Sequence, residues 1–74
     1  MEDEVAPEVQ GKIIEQKLTL LRNSIYDASL DAKIARVMED MHGEKAALER
    51  MRKLLKAVEM LEAEVSAMKP DGNA

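Results

Sequence analysis

Apolar residues recur along this chain at helical spacing. Ile14, Leu18, Leu21, Ile25 and Ala28 step by four and three, beginning just after Ile13. That spacing lines one face of a helix. The face then shifts. Leu30, Ile34, Val37 and Met41 form a second stripe that does not continue the first. Two readings fit. The helix either runs on while its apolar stripe rotates, or it breaks near Asp27-Ala28-Ser29, where Asp27 and Ser29 are both credible N-caps. The expectation is one long helix with a changed partner surface. Further on, Ala47, Met51, Leu54, Val58, Leu61, Val65 and Met68 alternate steps of four and three. This is the heptad seam of a coiled coil. Leu48 and Leu55 lie beside it and widen the face toward the breadth a helix bundle uses.

The punctuation divides the chain into two helices. Pro7 suits a first helical turn, and Glu8 favours the positive end of the helix dipole. Gly11 weakens that turn, so the start could slip to residue 12. His42-Gly43 is the sharpest break, with Gly43 expected to supply the left-handed residue that closes a helix. Glu44 then opens the next helix, Lys69 suits its last turn, and Pro70 stops it. The predicted organisation is an acidic disordered tail (1–6), a helical hairpin (7–69) and a polar tail (70–74). Within the hairpin, helices 7–41 and 44–69 flank a turn at 42–43. A connection this short makes the helices antiparallel.

Folding about Gly43 would set Val37 against Leu48, Ile34 against Met51, Leu30 against Leu55, Leu21 near Val65 and Leu18 near Met68. At ~1.5 Å per residue the helices would measure about 50 Å and 39 Å. Val9, Ile13 and Ile14 would then have nothing opposite them. Leu20, Ile25 and Tyr26 cannot all lie on the seam. A two-helix hairpin cannot enclose such a core, and wetting several Leu or Ile side chains forfeits ~1.5–3 kcal/mol each. The expected architecture is therefore all-α, with a second chain completing a four-helix bundle or a larger oligomer. Leu18, Leu21, Ile25, Leu54, Leu55, Val58 and Leu61 are expected to build the shared core. Ile13, Ile14, Leu20 and Tyr26 are the expected partner-binding surface.

Composition strengthens the case for association. The chain has 74 residues, no Cys, no Trp, no Phe and one Tyr. A domain this small is marginally stable alone and usually draws on disulfides, a metal or oligomerisation. Without cysteine, disulfides and thiolate metal sites are excluded. His42 is the single histidine, which argues against a protein-only zinc site. No metal or cofactor is expected. Net charge is −4, and Glu2, Asp3, Glu4 and Glu8 account for it, so the acidity belongs to the N-terminal tail. That acidic start is unlike a secretory signal, and no apolar run approaches the ~20 residues of a membrane span. A cytoplasmic protein without membrane contact is expected.

The remaining features are weaker. Arg50, Arg52, Lys53 and Lys56 form the densest basic cluster, a possible anion contact for nucleic-acid phosphate or an acidic protein surface. Glu49 precedes Lys53 by four residues in the order that stabilises helices, and Glu44, Glu59 and Glu62 flank the cluster. With no aromatic platform and a pI near 4.9, a solvated helix face is the expectation. Met38, Met41, Met51, Met60 and Met68 read mainly as core filling and secondarily as an adaptable binding surface. His42 is expected beside the last carbonyls of the first helix. Ser24, Ser29 and Ser66 lie in helical segments without a histidine base, so no catalytic constellation is visible. The layout is one shared by many small bacterial and phage regulators, adaptors and assembly chaperones, an analogy of shape alone. The expected function is a non-enzymatic, self-associating regulator, adaptor or inhibitor that binds other proteins. A nucleic-acid-associated regulator and a structural subunit of a phage or secretion particle are the alternatives.

Overall fold

A computed structural model of the chain describes residues 5–68. Two helices, α1 (Pro7–Val37) and α2 (Met41–Met68), form an antiparallel hairpin, with no strand among the described residues. The acidic residues 1–4 and the segment from Lys69 onward, including Pro70 and the polar tail, lie outside the described residues. Ala6 is extended at the N-cap and Pro7 takes the first helical position. The Gln10 side chain donates to the Val5 carbonyl at 2.7 Å and steadies this entry. Gly11 does not delay the start. α1 is also continuous through Asp27-Ala28-Ser29.

The turn is not where glycine suggested. It occupies Met38-Glu39-Asp40, and His42 and Gly43 lie in the first turn of α2. Glu39 is the left-handed residue, with φ 60°. Its N–H donates to the Arg36 carbonyl at 3.0 Å, and the Asp40 N–H donates to the Ala35 carbonyl at 2.8 Å. These two bonds satisfy carbonyls that the end of α1 would otherwise leave unpaired. Asp40 then caps α2. Its carboxylate accepts the Gly43 N–H at 2.9 Å, and its carbonyl accepts the Glu44 N–H at 3.0 Å. Gly43 serves this cap by being small. A Cβ there would collide with the Asp40 carboxylate. His42 consequently sits at the start of α2, not beside the last carbonyls of α1.

Moving the turn toward the N-terminus changes both register and lengths. The helices contain 31 and 28 residues, so neither greatly overhangs the other. Arg36 meets Glu44 at 3.0 Å, Arg50 meets Asp31 at 3.4 Å and Arg22 meets Glu62 at 3.1 Å. At the open end, Val65 and Met68 share a recess with Gly11 and Glu15. The expected pairings of Leu21 with Val65 and Leu18 with Met68 are therefore displaced along α1 toward its start. Ile14, expected to be unopposed, now has α2 alongside it and is half-buried.

The seam itself runs straight. On α1, Gly11, Ile14, Leu18, Leu21, Ile25, Ala28, Ala32 and Ala35 are buried or half-buried, at unbroken heptad spacing. On α2 the matching set is Ala47, Met51, Leu54, Val58, Leu61, Val65 and Met68. Leu18 and Val58 anchor the half toward the open end. Near the turn the contact is made by Ala28, Ala32, Ala35 and Ala47, whose small side chains let the helices approach closely. Ala28, at 0 % exposure, is more completely covered than any large side chain among the described residues. The hairpin is one helix thick, with extents of 51 × 28 × 15 Å.

The turn generates two predictions. Glu39 holds a conformation that costs a residue with a Cβ about 1 kcal/mol relative to glycine. Glu39→Gly is expected to raise the unfolding free energy by up to about 1 kcal/mol in a urea titration. Asp40→Ala removes the α2 cap and is expected to lower it by about 1 kcal/mol in the same assay. An unchanged midpoint for both variants would show that the turn does not limit stability.

Candidate interaction surface

α1 carries a second apolar stripe. Val9, Ile13, Leu20, Leu30, Ile34 and Val37 are all exposed. They fall at heptad-related positions roughly 150° around the helix from the seam, facing away from α2. Gln16, Asn23 and Asp27 occupy the intervening positions of the same stripe. Tyr26 stands at its border, 65 % exposed, as is Leu20, while Val37 reaches 83 %. The residues that looked like a rotation of the seam, Leu30, Ile34 and Val37, belong to this outer stripe. Met41 belongs to α2 and lies exposed beside the turn.

Isolated exposed leucines are normal on a protein surface. A stripe of exposed aliphatic side chains along one helix face is different, because clustered apolar area such as Leu30, Ile34 and Val37 marks a candidate interaction site. A smaller apolar flank lies on α2, where Leu48 and Leu55 stand beside the seam and half of each is exposed. Leu48 borders a shallow recess with Ser29, Ala32, Arg36, Glu44 and Met51. The Arg36–Glu44 and Arg22–Glu62 pairs make this flank more polar than the outer face of α1.

Of the residues expected in a shared core, Leu18 and Val58 are buried and Leu21, Ile25, Leu54 and Leu61 are half-buried, all on the hairpin's own seam. Leu55 alone projects outward. Of the expected partner-binding residues, Ile13, Leu20 and Tyr26 are exposed on the outer side of α1, whereas Ile14 is on the seam. Leu30, Ile34 and Val37, expected opposite Leu55, Met51 and Leu48, instead complete the outer face. The signal was present. Ala28, Ala32 and Ala35 continue the spacing of Leu18, Leu21 and Ile25, which leaves the larger residues to another face.

The basic cluster is divided. Arg50 reaches across the hairpin to Asp27 at 3.3 Å and Asp31 at 3.4 Å, and Arg52 pairs with Glu49 at 3.3 Å. These side chains are substantially exposed, so each pair contributes at most ~1 kcal/mol. The acidic neighbours offset the field that phosphate recognition would need. Lys53 and Lys56 are exposed on the outer side of α2. The methionines also divide, with Met38, Met41 and Met60 exposed and Met51 and Met68 half-buried on the seam. Among the described residues, no three His, Cys, Asp or Glu side chains come together as a metal-binding group. No described helix is long and apolar enough to cross a membrane.

No family model, curated protein or solved structure matches this chain. Among the described residues the chain is a small all-helical hairpin with an exposed apolar stripe on its first helix.

Proposed function

We propose that this chain is a non-enzymatic interaction module that self-associates through the outer face of α1 and acts as a regulator, adaptor or inhibitor of other proteins. One observation carries the reading: six exposed aliphatic side chains lie on the face of α1 turned away from the seam. Leaving such residues in water forfeits ~1.5–3 kcal/mol for each that a partner would bury fully. A hairpin one helix thick has little core to offset that loss. Covering that face with another helix is the most direct remedy, because its heptad spacing matches what a second helix presents. The smaller α2 flank at Leu48 and Leu55 leaves room for a different protein once copies have assembled.

Multi-angle light scattering at micromolar concentration tests this. A dimer or a larger closed oligomer is expected. The double substitution Leu20→Glu and Ile34→Glu is expected to shift it to monomer while circular dichroism still reports helix. A helical, cooperatively unfolding monomer throughout the micromolar range would overturn the reading.

A further inference from the structure

We infer that the occupant of the outer face of α1 is α1 of a second copy, lying antiparallel, with a two-fold axis close to Asn23 and Asp27. This rests on the self-association proposed above and adds the face, the direction and the register. The outer stripe reads Val9, Ile13, Gln16, Leu20, Asn23, Asp27, Leu30, Ile34, Val37. From Ile13 to Val37 it is polar in the middle and, apart from Gln16, apolar toward both ends, so this part can be set against its own reverse, with Val9 beyond the match. Antiparallel alignment sets Ile13 against the partner's Val37, Leu20 against the partner's Leu30, and Asn23 against the partner's Asp27. Gln16 meets the partner's Ile34. Two-fold symmetry repeats each contact.

Charge supports the same alignment. On one edge of the stripe, Lys17 faces the partner's Asp31. Asp27 and Asp31 share the single guanidinium of Arg50, which leaves this spot one negative charge in excess. Lys17 brings the missing positive charge. On the other edge, Tyr26 stands against the partner's Tyr26 beside the axis. Asn23 can donate its amide N–H to the carboxylate of the partner's Asp27, and a polar layer of this kind fixes register in coiled coils. A parallel arrangement reverses these gains. It would set Asp27 against the partner's Asp27 and Lys12 against the partner's Lys17, both like-charge contacts. Sliding the antiparallel partner by one heptad sets Leu20 against the partner's Asn23, or Leu30 against the partner's Asp27.

The area is adequate. At their observed exposures the five aliphatic residues within this alignment and Tyr26 present on the order of 600 Å², at the lower end of the range around the ~800 Å² per partner of a standard interface. The result is two hairpins back to back, with the α1 helices central and the α2 helices outermost. That arrangement is a layer, not a closed four-helix bundle, because the outer face of α1 points away from α2.

The absence of cysteine makes the alignment directly testable. Leu20→Cys and Leu30→Cys chains are mixed, equilibrated and mildly oxidised, with light scattering run in parallel on the parent chain. The expected result is a covalent dimer joining the two variants, with little product from either alone. Lys17→Glu without added cysteine is expected to raise the dimer dissociation constant on the order of tenfold, through two repulsive contacts in place of two attractive ones. Self-coupling of Leu20→Cys alone would overturn the direction. No mixed product and no effect of Lys17→Glu, in a chain that scatters as an oligomer, would overturn the face while leaving self-association standing. A monomeric parent would remove both.

Discussion

An α-helix has only one side toward a single neighbour, and α1 has two apolar sides. Its seam against α2 is complete, running at heptad spacing from Gly11 to Ala35. Its outer stripe runs almost as far, from Val9 to Val37, and its aliphatic members are exposed, while Asp27 in its middle is reached from α2 by Arg50. Length does not create this excess, because α1 and α2 nearly match. The unpartnered surface arises from breadth. Any account of the fold must therefore place something on the outer face or accept the cost of leaving it wet.

The alanines make this division possible. Where Leu30, Ile34 and Val37 point outward, the seam is held by Ala28, Ala32, Ala35 and Ala47. Small residues there keep the helices close and spend no large side chain on the internal contact. Toward the open end the seam relies on Leu18, Leu21, Leu54, Val58 and Leu61 instead. The Asp40 cap and the left-handed Glu39 turn set which residues of α2 meet this seam. Shifting that turn by a few residues would realign every contact along the hairpin.

Much of this was legible in the sequence, and the two main departures have clear causes. The all-α hairpin and the α2 seam follow from heptad spacing that large residues make plain, whereas the seam of α1 continues past Asp27 through Ala28, Ala32 and Ala35 while the large residues turn to another face. The turn was misplaced because Gly43 is a stronger signal than Glu39. A residue with a Cβ is a poor candidate for φ near 60°, and an aspartate such as Asp40 marks a helix start less sharply than a glycine marks a turn. The outer face was only half recognised because alanine contributes little to an apolar pattern. Ile13, Leu20 and Tyr26 were identified as surface, but Leu30, Ile34 and Val37 were assigned inward and Ile14 outward. Burial of Ala28, Ala32 and Ala35 depends on what packs against them, which spacing alone displays only when small residues are counted with large ones.

If the outer face of α1 is covered by another copy, folding and association are one equilibrium, and stability must follow mass action. The most direct measurement is the thermal unfolding midpoint over a hundredfold range of chain concentration. A coupled folding and assembly reaction gives a midpoint that climbs steadily with concentration. A midpoint that stays fixed across that range, with unfolding still cooperative, would mean that the hairpin tolerates its outer stripe in water and that the central claim is wrong.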